Sequence, residues 1–273
     1  GDLQGEISKP WYWNVGLGLL WYNIGSVDVD RLNKYTKNEV DELPDTATLY
    51  DIYRYTGGIK DDEAEGGVHP YIHAGITYDT RNRQQNPERG IYADAFFTYY
   101  AALGNMSDYN NVKFNANWRQ YIKLGTPRVI LAYRLGTQLN VAGESPFYLN
   151  TYINQLYMQR VIYEGLGGAN SIRGIMRNRI LARGVVYANA ELRLQVARFK
   201  IGKELFYIGL NPFMDAGMVA QPYEDYMRTI EPTEAIENSR LHDLHLSAGC
   251  GLKVAMNENF VLSLGGGTPC YFN

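Results

Sequence analysis

Only two cysteines, Cys250 and Cys270, occur in 273 residues. That is too few for a disulfide framework, and their spacing matches no zinc pattern. No stretch approaches the roughly 20 consecutive apolar residues that a transmembrane helix needs, which excludes a helical membrane protein. Positive charge is scarce as well. The 26 Lys and Arg stand against 29 Asp and Glu for a net charge of −3, and without a basic stripe to neutralise phosphates nucleic acid is excluded as a partner. No charged segment followed by an apolar run opens the chain, so any secretory leader is expected to be gone already. Abundance lies elsewhere, in 23 Tyr and 28 Gly within a modest apolar content. Such a profile suits many β-strands.

The spacing of apolar residues points to an all-β protein. Trp11, Trp13, Val15, Leu17, Leu19 and Trp21 alternate with Tyr12, Asn14, Gly16, Gly18 and Leu20, a period of two. The same alternation recurs around Tyr71–Asp79, Gly90–Leu103, Val112–Trp118, Val129–Leu139, 186–196, Phe206–Asp215, Leu244–Val254 and Phe260–Leu264. Nine strands are expected, of roughly 9 to 15 residues, longer than the usual 5 or 6 of soluble sheets. Lys113, Arg119, Arg134, Glu191, Arg193 and Asp215 all fall on the polar face.

A soluble sandwich or lipocalin-like barrel would solvate that polar face, whereas a membrane barrel would line its lumen with it. Connection lengths separate the two readings. Tight turns at 125–128, 201–204 and 257–259, and a moderate one at 80–89, alternate with long connections at 25–67, 142–183 and 220–243. Strict alternation puts all the long loops at one end, as in outer-membrane barrels with short periplasmic turns and long external loops. Trp11, Trp13, Trp21, Tyr78, Trp118 and Tyr133 would form an interfacial girdle. The fold expected is an antiparallel transmembrane β-barrel in contact with outer-membrane lipids and lipopolysaccharide. Connection 25–67 carries 11 acidic against 5 basic residues, which reads as a solvated external face. Connection 142–183 is the exception, with 5 Arg against 2 Glu.

Within it, residues 163–175 read YEGLGGANSIRGI. The stretch resembles the long external loop of the outer-membrane assembly-factor superfamily, the BamA/TamA-like surface-antigen family. That loop carries a Gly-Gly pair, a spacer, then Arg-Gly followed by a hydrophobic residue; here these are Gly167, Gly168, Arg173, Gly174 and Ile175. Tyr78, Asp79, Thr80 and Arg81 followed by Pro87, Glu88, Arg89 and Gly90 resemble the family's strand-turn-strand signature. The run 188–192 (ANAEL) resembles the strand after the loop, with Glu191 as its acid, and Phe213, Asp215 and Gly217 resemble the next strand's motif. The resemblance implies that Arg173 folds into the lumen and pairs with Glu191 and Asp215. It implies further that Gly167, Gly168 and Gly174 let the backbone run close to the wall at positive φ. Alternatively, Arg173 is one of several external arginines touching lipopolysaccharide phosphate.

By that resemblance the function would be insertion or translocation of proteins or lipids at the outer membrane, with unfolded outer-membrane proteins as clients. A passive pore or structural barrel is the alternative. Family barrels have sixteen strands and the inserting members carry periplasmic domains. Residues 1–273 read instead as a single barrel domain without one, either a fragment of a larger barrel or a closed one of 10 to 12 strands. The parity of nine strands implies another, supplied by residues 2–9 or by part of 25–67. No enzyme is expected: there is no Gly-x-Ser-x-Gly elbow, and His245 and Ser247 sit two apart on one face. No cofactor and no metal are expected: His242 and His245, which with Asp243 could bind a metal, fall on opposite faces if the strand already runs there. The run Gly265, Gly266, Gly267 lacks the Lys-Ser/Thr of a phosphate loop.

Overall fold

Alternating sequences of this kind bury one face of each strand, and adjacent strands joined by short links pair antiparallel. The computed structural model describes residues 1–36, 38, 41–104, 107–126, 128–156, 161–162, 165–177, 180–222, 244–257 and 260–270. The expectations on His242 and Asp243, and on Tyr163 and Glu164 of the loop stretch, lie outside these residues.

Among the described residues ten strands form one antiparallel sheet. They are β1 (Asp2–Ser8), β2 (Trp11–Asn23), β3 (Gly66–Asp79), β4 (Gly90–Tyr100), β5 (Asn111–Lys123), β6 (Val129–Gly143), β9 (Gly184–Ile201), β10 (Glu204–Gln221), β11 (His245–Met256) and β12 (Phe260–Cys270). Two short strands, β7 (Ile153–Asn154) and β8 (Val161–Ile162), pair with each other in the long loop after β6. Every strand of the large sheet lies beside its neighbour in the chain, the order running straight from β1 to β12. The tenth strand is β1, formed from residues 2–8, whereas residues 25–67 hold three short helices, α1 (Val29–Asn33), α2 (Leu49–Tyr55) and α3 (Asp61–Ala64). The longest strands exceed expectation: β9 and β10 each run 18 residues. Among the described residues β1 and β12 do not pair, so the sheet keeps two edges. It curls nevertheless, because Asn86, in the turn between β3 and β4, donates to the Tyr207 hydroxyl on β10 at 2.9 Å.

Burial is inverted relative to a soluble protein. On β2, Trp11, Trp13, Val15, Leu17, Leu19 and Trp21 are exposed, while Asn14 and Gly16 between them are buried. On β5 the buried set is Asn111, Lys113, Asn115 and Asn117, and on β10 Asn211 and Asp215 are buried while Leu210, Met214 and Met218 are exposed. Among the described residues no second sheet covers the apolar face. An apolar belt of this extent is stable against hydrocarbon, and the polar face then lines the lumen. Trp11 meets Tyr78 edge to face at 4.9 Å on that belt, and Cys250 points outward with it. Among the described residues no helix is long and apolar enough to cross a membrane.

Candidate functional site: a loop seated in the lumen

The connection from β6 to β9 enters the lumen instead of standing out from the rim. Its backbone needs hydrogen-bond partners there, since a buried carbonyl or amide left alone costs about as much as a lost hydrogen bond. The inward residues of the wall supply them. Lys113 Nζ donates to Leu149 O at 2.6 Å, Gln138 Nε2 to Tyr152 O at 2.9 Å, and Gln138 Oε1 accepts from Asn154 N at 3.0 Å. Asn154 donates to the Tyr100 hydroxyl at 2.8 Å. Around these bonds Tyr148, Leu149 and Tyr152 pack with Tyr100, Tyr22 and Tyr71 into an aromatic cluster. His69, wholly buried, holds the Tyr148 hydroxyl at 2.8 Å on one nitrogen and Ser107 Oγ at 3.1 Å on the other.

The second half of the loop carries the motif. Ser171 Oγ donates to Gly167 O at 2.7 Å and accepts from Gly167 N at 2.8 Å, closing a tight turn around the glycine pair. Gly167, Gly168 and Gly174 have φ of 135°, 89° and 91°, a region side chains rarely enter. Gly174 also passes close to β12: a Cβ there would lie 2.9 Å from the backbone of Gly267. The glycine run 265–267 is thus interior to a strand, and Gly267 leaves room for the Phe213 ring and for the backbone of Arg173. Ile175 packs against a buried cluster that includes Leu166, Ile172, Ile180, Val185 and Val219.

Arg173 lies where the loop meets β9 and β10. Its Nε and Nη2 donate to the two oxygens of Asp215 at 2.8 Å each, its backbone N–H reaches Asp215 Oδ2 at 2.9 Å, and Nη1 reaches Glu191 Oε2 at 2.9 Å. Asp215 is 0% exposed and Arg173 26%. The guanidinium lies 3.5 Å from the centroid of the Phe213 ring, a cation–π contact. The planar fork matches a carboxylate on one edge and leaves a further donor for a second acid, which an ammonium could not reproduce. An external position for Arg173 is overturned by this geometry.

Three residues that motif reading leaves out complete the cluster. The other oxygen of Glu191 accepts from Arg193 at 3.0 Å, from Asn211 at 2.7 Å and from Lys253 at 2.9 Å. Glu191 is therefore the junction of four donors from the loop, β9, β10 and β11. The inward face of each strand is legible from period two, but their meeting at one oxygen depends on cross-strand register.

The strand-turn-strand signature forms a separate site at the C-terminal end of β3. Arg81 grips Asp79 through Nε and Nη2 at 2.9 and 2.7 Å and lies 4.6 Å over the Tyr92 ring. Pro87 is buried in the same turn. Gly90, at φ 106°, brings its Cα so close to Thr80 O that a Cβ would fall 2.4 Å from it. His245 and Ser247 face the lumen as expected, with Ser247 wholly buried. Among the described residues no group of three His, Cys, Asp or Glu could hold a metal ion.

Residues 4–260 match the family model of the Omp85 superfamily domain. No curated protein matches the sequence. Among solved structures, the chain is similar to BamA from Haemophilus ducreyi lacking POTRA domains 1–3, at 15% identity and a TM-score of 0.57, over 97% of this chain and 53% of that one. The chain thus spans about half the length of that relative. It belongs to the Omp85 superfamily, and its place is the wall of a β-barrel in the bacterial outer membrane.

Proposed function

We propose that this chain serves, without enzymatic chemistry, as the barrel of an assembly factor that inserts or translocates proteins or lipids at the outer membrane. Its clients would be unfolded outer-membrane proteins meeting it among outer-membrane lipids and lipopolysaccharide. Residues 1–273 would act as one transmembrane domain, with the two sheet edges continued by further strands toward the family's sixteen. The observation that carries this reading is the loop held across the lumen by Arg173, Glu191 and Asp215, because a barrel serving as an open pore gains nothing from filling its own channel. Asp79, Arg81, Pro87 and Gly90 are assigned to bracing the periplasmic turn, and Gly167, Gly168 and Ile175 to seating the loop.

Two assays on the purified barrel test this. In planar bilayers the reading expects rare, flickering openings, whereas steady large conductance would favour a passive pore. In lipid vesicles the barrel should speed the folding of an unfolded outer-membrane protein, and Arg173→Ala should abolish the acceleration. A barrel that leaves the folding rate unchanged would refute the assembly role.

A further inference from the structure

Beside the clamp, between the loop and the wall, lies a cavity of about 300 Å³. Arg119, Arg134, Arg173 and Arg193 line it, and among the described residues that line it Glu191 is the sole acid. Arg119 and Arg134 face each other directly across the β5–β6 register, a placement in which like charges repel. Glu191 and Asp215 already bond to Arg173, and Glu191 also bonds to Arg193 and Lys253. Among the described residues, counting the buried Asp94 nearby, whose Oδ1 accepts from Asn117 at 3.1 Å, five cations meet three carboxylates and leave a local charge of +2. Arginine cannot shed its proton to relieve that excess.

The donors are held in place. Arg134 Nη1 is fixed to Asn170 O at 2.9 Å and Arg134 stacks 4.6 Å over the Tyr187 ring. Its Nε is buried and meets no acceptor among the described residues. Arg119 Nη2 leans toward Gln155 Oε1 at 3.4 Å. Wall and loop thus contribute side by side, and Ala169 and Asn170 at the cavity's edge are exposed, so solvent reaches it.

We propose that this cavity is an anion site that takes a phosphoryl group, carried either by a lipid headgroup or by a small soluble phosphate ester. Guanidiniums converging from two adjacent strands, a third strand and the loop suit a dianion with several acceptor oxygens better than a single carboxylate. The volume leaves room for a small organic group as well, at the lower end of ligand pockets. A bound phosphoryl group would bridge β5 and β6 to the loop and offset the Arg119–Arg134 repulsion. This holds whether or not the barrel assembles clients.

The test is equilibrium dialysis of radiolabelled inorganic phosphate against the full chain in neutral detergent, at fixed ionic strength with chloride as the competing anion. Saturable binding is expected. Arg119→Gln and Arg134→Gln should each weaken it about tenfold or more, the loss of charged hydrogen bonds. They lie on β5 and β6, away from the bonds that join Arg173 to Glu191 and Asp215, so their effect is separable from the clamp. Added phosphate should raise the heat stability of the parent but not of Arg119→Gln, a ligand-linked shift that a purely structural arginine would not produce. Displacement of the label by phosphatidic acid but not by glycerol 3-phosphate assigns the lipid source, and the reverse assigns the soluble one. No saturable phosphate binding to the parent chain, or undiminished binding by both variants, overturns the proposal.

Discussion

The two halves of the lumenal loop are held in place by different chemistry. Residues 147–154 offer backbone carbonyls and amides, and neutral or singly charged side chains of the wall cap them one at a time, as Lys113 and Gln138 do. Residues 167–175 offer a single guanidinium, which two acids take up together with a network of other cations. Capping bonds are worth about 1 kcal/mol each and fail independently. A buried ionic junction fails as a unit, because removing one member leaves the others charged and desolvated. The first half is therefore seated by accumulation and the second by one cooperative lock.

Substitutions can break or sharpen that contrast. Arg173→Ala should have the largest effect, about 3 kcal/mol, at the low end for a broken buried pair because solvent reaches the guanidinium. Unfolding of the purified barrel in urea would measure it, with the exposed Arg177→Ala as a control expected to stay within about 0.5 kcal/mol. Next comes Gly174→Ala, at about 2 kcal/mol, since a side chain there combines positive φ with a 2.9 Å approach to β12. It should loosen the second half alone, seen as faster amide exchange at 167–175 with 147–154 unchanged. Gln138→Ala should cost about 1.5 kcal/mol by leaving Tyr152 O and Asn154 N uncapped, and its exchange signature should be the reverse. Lys113→Met should cost about 1 kcal/mol or less, because losing the cap on Leu149 O is offset by removing a buried charge.

The same contrast marks what could be read from the chain. The wall is legible strand by strand, since period two assigns each residue of β2, β5 or β10 to lipid or lumen without knowledge of any partner. The resemblance points to Arg173, Glu191 and Asp215, and Arg173 hydrogen-bonds to both acids. Lys253 and Arg193 escape, because alternation says only that they face inward, not that register brings both to Glu191. The capping residues escape for the same reason: Gln138, and Asn115, whose Nδ2 donates to Asn154 O at 3.3 Å, are ordinary lumenal amides until the loop is placed beside them. In 25–67 a local signal did exist. Thr48 and Asp51 form a capping box at the start of α2, the Ser/Thr-x-x-acid pattern, but a helix of 7 residues has too few turns to show an apolar stripe.

The lock is tested most directly by a double-mutant cycle between Arg173 and Asp215, with unfolding free energies measured for the parent, Arg173→Ala, Asp215→Ala and the double variant. Asp215 lies wholly buried against the guanidinium, so each single change strands a charge that the double change removes. The double variant should be no less stable than the weaker single one, giving a coupling of about 2 kcal/mol or more. Costs that simply add, with coupling within about 0.5 kcal/mol, would contradict the lock.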